Sequence, residues 1–241
     1  MTSGIVPVAK YVVIDGIDGG GKGTIFERIE KEFPRPPSEM GYGKILMEGP
    51  VGKYSIITRE PGGTPLAEKL RGMILNDVMS SFSEFCLFLG QRDDGRKQVI
   101  HPALAGGVNV ISDRSDSATF AYQLRGRQLD HLEDLYWKTR PMMAPLPSLY
   151  VFLDLDPLVA AQRMAGRGNE ADNFEKQNTE FFERVRNGFK EFAQKVEAPC
   201  RFVNAEQGKA EVAEDVLKIL REHLGVAPKM EANIFPLERR A

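Results

Sequence analysis

Along the chain, short blocks of consecutive apolar residues alternate with longer stretches in which apolar positions recur every three or four residues. The short blocks predict strands at 11–15, 55–58, 109–112, 149–154 and 201–203. The longer stretches predict helices at 24–33, 65–75, 82–104, 117–124, 129–140, 157–165, 178–196 and 209–224. The strand blocks lack polar alternation, as expected when both faces are buried. Strand and helix taking turns in this way predicts an α/β fold in three layers, a five-stranded parallel sheet flanked by helices. The 241 residues suffice for one such domain with a full core. Two segments stand outside the alternation. Residues 34–54 are rich in Pro and Gly and longer than an ordinary connection, with Ile45, Leu46 and Met47 as a candidate short strand. Residues 226–241 carry no periodicity and form a tail, frayed or docked through Ile234, Phe235 and Leu237. The expected domain is therefore 1–225, with 34–54 as an inserted loop.

Charge narrows the possible partners. A formal net charge of −2 provides no global positive field, which argues against a nucleic-acid polymer or a membrane surface. No stretch has the apolar length that spans a bilayer, and the N-terminus lacks the pattern of a signal peptide. Cys86 and Cys200, the only cysteines, are expected as two buried thiols in a reducing, cytoplasmic compartment. His101, His131 and His223 have no second ligand at metal spacing, so a structural zinc site is not expected.

The candidate chemistry starts where the first strand ends. Gly16, Ile17, Asp18, Gly19, Gly20, Gly21, Lys22, Gly23 and Thr24 have the arrangement of a phosphate-binding P-loop. Glycines let backbone N–H groups turn around phosphate oxygens, the helix that follows aims its positive end at the same anion, and Lys22 adds a mobile charge. Gly23 stands where Ser or Thr usually offers a hydroxyl to Mg²⁺; adenylate-kinase-like enzymes share this Gly-Lys-Gly-Thr ending, and Mg²⁺ is then held mainly by phosphates and water. Arg59, Glu60 and Pro61, followed by Gly62, Gly63 and Thr64, leave the second strand where ligands of parallel sheets bind; alone they are equally a tight turn with a surface ion pair. Asp113 and Arg114 close the third strand, an acid near magnesium and its waters beside a guanidinium that can fork onto a phosphate. Arg163 and Arg167, four apart and followed by glycines, fit a hinged cationic lid at about 163–176, the plainer alternative being a solvated basic helix end. Phe88 and Arg92 share a helical face and could present a ring and a guanidinium to one base, or be a core ring and a surface cation; spacing alone does not decide.

Together these motifs resemble the thymidylate kinase family from about Tyr11 to about Val203. The specific element is Arg59-Glu60-Pro61-Gly62-Gly63-Thr64, supported by the P-loop at 16–22, by Asp113-Arg114 with Tyr122-Gln123, and by Arg163 and Arg167. The resemblance implies ATP and a pyrimidine deoxynucleoside monophosphate as ligands, dTMP above all, with Mg²⁺ accompanying ATP and a homodimer packed through helices. It implies that Phe88 stacks on thymine, Arg92 bonds a base carbonyl and Thr119 meets the N3 edge. Tyr122 crowds the sugar 2′ position, and Asp18 accepts from the 3′-hydroxyl. Arg59 and Arg114 hold the monophosphate, Asp113 serves the metal, directly or through water, and Lys22, Arg114, Arg163, Arg167 and Asp18 form the catalytic group. The expected reaction is dTMP plus ATP giving dTDP plus ADP; dUMP or a 5-substituted dUMP as acceptor, a P-loop ATPase or switch, and an inactive binder are the alternatives. Gly23, the length of 34–54 and Asn173 in the lid stretch depart from the usual family pattern.

Overall fold

The computed structural model describes residues 8–33, 35–36, 52–165, 173–174 and 177–226. The candidate strand at Ile45–Met47, the lid arginine Arg167 and the apolar tail residues Ile234, Phe235 and Leu237 lie outside them. Five strands form one parallel sheet: β1 (Tyr11–Gly16), β2 (Ser55–Arg59), β3 (Asn109–Asp113), β4 (Leu149–Asp154) and β5 (Cys200–Asn204), in the order β2-β3-β1-β4-β5. From β1 the chain runs to the sheet edge at β2, returns to place β3 beside β1, and then crosses to the other side of β1 for β4 and β5. This reversal opens a crevice beyond the carboxyl end of β1, the place where open parallel sheets bind ligands. All six residues of β1 are buried, which is why its sequence shows no alternation.

Helix α1 (Lys22–Glu32) follows the glycine loop, and α2 (Pro65–Asn76) follows the turn after β2. Pro65 occupies the first turn of α2, and the Thr64 hydroxyl accepts from Ala67 N at 3.0 Å, so the sequence Thr-Pro starts this helix at a defined angle. Helix α3 runs through Ser81–Gly95, a π-helical stretch Arg96–Ile100 and a last α-helical turn His101–Ala105. Helix α4 (Asp116–Thr119) likewise continues as a π-helix through Phe120–Gly126. Helices α5 (Glu133–Thr139), α6 (Pro157–Ala165), α7 (Thr179–Lys195) and α8 (Lys209–Leu224) complete the set among the described residues. Helix α7 comes close to α4 at Gly188, where an added Cβ would lie 2.9 Å from Ala121 Cα; that approach seats Tyr122 against Phe181 and Phe189.

The thiols differ from expectation. Cys86 is exposed and Cys200 is only partly buried. The inward stripe of α3 carries Glu84, Phe85, Phe88, Gln91, Arg92 and Gly95, which turns Cys86 outward beside exposed Phe82.

Candidate active site

The loop after β1 cannot be built from other residues. Gly16 has φ 138°, and a Cβ there would lie 2.6 Å from the Leu153 carbonyl oxygen; Gly21, at φ 86°, ends the loop in the left-handed region just before α1. No side chain caps α1, so its first-turn N–H groups face the crevice free for an anion. Lys22 Nζ folds back onto the loop, donating to Gly16 O at 3.1 Å and Ile17 O at 3.2 Å, with Asp18 Oδ1 at 3.8 Å. Burial, and next the Arg114 guanidinium, pull the Lys22 pKa down. Beside the loop lies an open cleft of about 1470 Å³, walled by Gly19–Gly21, Thr24, Arg163 and the turn that joins β5 to α8.

Arg163 is in that wall. Its guanidinium donates to Ala205 O at 2.8 Å and reaches Gly19 O and Glu206 O at 3.4 Å. It therefore ties α6 to the glycine loop and to the β5–α8 turn, at the outer end of the cleft. Gly23 is exposed, and an added Cβ would meet nothing within 4 Å, so packing does not dictate the missing hydroxyl.

A second pocket of about 520 Å³ opens on the other side of the loop, lined by Asp18, Glu60, Pro61, Arg71, Leu75, Phe88, Arg114, Ala118, Tyr122, Gln123 and Phe174. Arg114 sits at φ 65° between β3 and α4 and aims its guanidinium at β1. Nη1 donates to Gly16 O at 2.9 Å and Asp15 Oδ1 at 3.1 Å, Nη2 to Asp18 Oδ1 at 2.5 Å, and the group lies 5.0 Å from the Tyr122 ring centroid. Tyr122 OH donates to Asp18 Oδ2 at 3.2 Å. Burial alone would raise the Asp18 pKa, but Arg114 and Lys22 outweigh it and hold the carboxyl below its usual range. Lys22 and Arg114 thus share one acceptor, the Gly16 carbonyl at the head of the glycine loop.

Several expected residues stand elsewhere. Arg59 is half exposed, pairs with Glu68 at 2.8 Å and does not line the pocket. The guanidinium that does is Arg71, whose Nη1 donates to Pro61 O at 3.0 Å. Burial, and then neighbouring Arg59 and Arg114, lower its pKa. A signal for Arg71 was present in the sequence: it is a cation in the buried stripe Ala67–Arg71–Ile74 of α2. Arg92 and Thr119 are wholly enclosed behind the pocket rather than lining it. Arg92 Nε donates to Glu60 Oε2 at 2.5 Å, Nη1 to Thr119 Oγ1 at 2.9 Å and Nη2 to Ser115 O at 2.8 Å. Each of its nitrogens holds a partner inside the protein, so in this arrangement neither residue faces the open pocket. Glu60 is buried and held further by Tyr11 OH at 3.2 Å and Ser115 Oγ at 3.0 Å, which fixes Pro61 as pocket wall. Gln123 donates to Glu84 Oε1 at 2.9 Å.

Phe88 does line the pocket, and Phe174, unforeseen, meets it edge-on at 6.2 Å and Tyr122 at 5.8 Å. Asn173 anchors Phe174 by bonding Leu75 O through its backbone N–H at 3.2 Å and Asp77 O through its side chain at 3.1 Å. Asp113 Oδ1 is buried without a hydrogen-bond partner beside the charges of Lys22, Arg71 and Arg114. An orphaned carboxylate oxygen at a strand tip fits a magnesium ion or one of its waters. The described residues contain no group of three His, Cys, Asp or Glu that could hold a metal by themselves.

The chain has relatives in sequence and in fold. The family model described as thymidylate kinase matches residues 14–216. A thymidylate kinase of Albidiferax ferrireducens is 38% identical over 218 residues, covering 86% of this chain and 93% of that protein. One of Verminephrobacter eiseniae is 39% identical over 201 residues, covering 80% and 81%. The crystal structure of thymidylate kinase from Ehrlichia chaffeensis aligns with a TM-score of 0.64 at 25% identity, covering 89% of this chain and 100% of that one.

Proposed function

The chain belongs to the thymidylate kinase family and transfers a phosphoryl group from ATP to dTMP, giving dTDP and ADP; from that premise we propose how its residues divide the work. The observation that carries the division is the shared Gly16 carbonyl, which accepts both from the glycine-loop lysine Lys22 and from Arg114 of the second pocket. ATP lies in the cleft with its phosphates over the amides of Gly16–Thr24 and its nucleoside toward Arg163 and the β5–α8 turn. dTMP lies in the second pocket with its base against Phe88, its sugar near Tyr122 and Asp18, and its phosphate at Arg71 and Arg114. Glu60, Arg92 and Thr119 act behind that surface, holding Pro61 and the start of α4 in place.

Two anions must be brought end to end, and the transition state spreads negative charge over the moving group. Catalysis is then alignment plus cations aimed at where charge develops. Lys22 follows the transferred group from the donor side. Arg114 exchanges its contact with Asp18 for the incoming phosphate and bridges to the acceptor. No general base is needed, because the acceptor oxygen is already anionic. Magnesium, when bound with ATP, would neutralise phosphate charge, and Asp113 is the residue that would hold it or one of its waters. One domain over 1–225 carries both sites.

ADP release should require dTMP. R71A should raise the KM for dTMP by about 10- to 100-fold, the worth of one or two charge-assisted hydrogen bonds, while the KM for ATP changes little. An unchanged dTMP KM removes Arg71 from the acceptor site. D113N should weaken Mg²⁺ binding to the ATP complex by about tenfold in a calorimetric titration, since one carboxylate contact is lost. Unaltered metal affinity would clear Asp113 of that role.

The homodimer we propose would associate through exposed apolar residues of this region, Leu66 and Met73 on α2, Val78 after it and Phe82 on α3. Sedimentation velocity giving a monomer at micromolar concentration would remove that assignment. No helix among the described residues is long and apolar enough to cross a membrane. Two unpaired thiols suit a cytoplasmic setting.

A further inference from the structure

Asp15 takes no part in the division of work above, yet it is a fully buried carboxylate at the head of the glycine loop. It touches neither pocket. Oδ1 accepts from Gly16 N at 2.9 Å and from Arg114 Nη1 at 3.1 Å, and Oδ2 accepts from Ser117 Oγ at 2.7 Å. Three elements therefore converge on one side chain: the first amide of the donor loop, the guanidinium of the acceptor site and the first turn of α4. We propose that Asp15 is a positioning residue that fixes the Arg114 guanidinium against the donor loop, so that acceptor and donor phosphates are aligned before either arrives.

The backbone supports this reading. Arg114 N donates to Ile14 O at 2.9 Å, so β1 holds the residue's main chain through Ile14 and its side chain through Asp15. The left-handed φ of Arg114 is uncommon for a residue with a side chain and persists only where neighbours over-determine it. Alternation along β1 puts Tyr11 and Asp15 on one face, and both reach the same turn, Tyr11 at Ser115 and Asp15 at Ser117. Tyr11 serves the buried Glu60 cluster; Asp15 is the equivalent tie at the phosphate end. Burying a charge without a partner is costly, and here the partner is the catalytic arginine itself, with Lys22 as second cation. Burial pushes the Asp15 pKa up, and these two cations work against it.

The inference rests on Arg114 being the acceptor-phosphate ligand, and the experiment keeps the two apart. Steady-state kinetics on the full chain compare D15N, S117A, R114A and the double variant D15N/R114A. D15N keeps the shape and an oxygen for Gly16 N but removes the charge that holds the guanidinium. It should raise the KM for dTMP about tenfold and leave the KM for ATP within about twofold, because one charge-assisted contact is exchanged for a neutral one. S117A, a milder change that removes one hydroxyl from the buried first turn of α4, should move dTMP KM about threefold in the same direction, and it remains informative if D15N folds poorly. In the R114A background D15N should add less than about twofold, since a residue acting through Arg114 has nothing left to position. A D15N effect that is equal on both substrates, or that multiplies independently with R114A, overturns the proposal and makes Asp15 a general strand support. If R114A itself leaves dTMP KM and turnover unchanged, the acceptor assignment falls first, and this inference with it.

Discussion

R114A should lower kcat/KM for dTMP by roughly 10³-fold, the low end of what a guanidinium supplies in phosphoryl transfer, because Arg71 stays to bind the acceptor phosphate. Arg71 and Arg114 both line the acceptor pocket, but only Arg114 also reaches the Gly16 carbonyl of the donor loop. Loss of Arg71 is a binding defect read mainly in KM. Loss of Arg114 removes a contact that strengthens as charge moves between the two nucleotides, so kcat must fall as well. The variant also leaves buried Asp15 with Lys22 as its nearest cation, so some loss of thermal stability accompanies the kinetic change. Steady-state assays beside a thermal melt separate the effects. A kcat within tenfold of the native value in a folded R114A protein would sink the bridging role.

The largest effect on stability is expected away from the pockets, at Asp116. This carboxylate is fully buried; Oδ1 accepts from Arg96 Nη2 at 3.2 Å and Tyr150 OH at 2.8 Å, and Oδ2 from Arg140 Nε at 2.5 Å. D116N keeps the size, leaves Arg140 without its carboxylate and leaves Arg96 with Glu60 alone. Breaking a buried pair from one side costs about 3–5 kcal/mol, and urea unfolding at pH 7 should show a loss of that order. The pH dependence has a definite sign. Burial would raise the Asp116 pKa, but Arg96, Arg140 and Arg92 overcome it and hold the folded-state value well below the usual carboxylate range. A depressed folded pKa gives stability that is fully present above the unfolded pKa and is lost as pH falls toward the folded one. The stability gap between the native chain and D116N should therefore stay level above about pH 5 and narrow below about pH 4. A gap that is already small at pH 7, or that widens in acid, contradicts the electrostatic account.

How much of this was legible in the sequence depends on whether backbone or side-chain choice decided it. The strands were visible because each centres on a short apolar block, longest in the buried inner strands β1 and β4; β4 falls at Leu149–Asp154, as the apolar block predicts, while the edge strands β2 and β5 carry polar residues and are only partly buried. The glycine loop was visible because its φ values and its contact with Leu153 exclude other residues. The cations were harder. Arg59 belongs to a specific motif but turns outward to Glu68, whereas Arg71, in no motif singled out, turns inward from α2. Which way a long flexible side chain swings is set by neighbours brought from other parts of the chain, and helical spacing does not contain them. Arg92 and Phe88 do share a face of α3, as their spacing implies, but Glu60 from the β2 loop captures the guanidinium before it reaches the pocket. Cys86 failed for the same reason: the inner face of α3 is taken by Glu84, Phe85, Phe88, Gln91 and Arg92, so an apolar setting in sequence became an outer surface in the fold.

Strand β1 is flanked by ladders on both sides, to β3 and to β4, and sends its last residue straight into the phosphate loop. Amides there open to solvent only when the whole domain comes apart, while those at the sheet margins exchange through smaller fluctuations. The catalytic centre is thus grafted onto the least deformable part of the molecule, and whatever movement accompanies a turnover cycle has to be borne by its periphery.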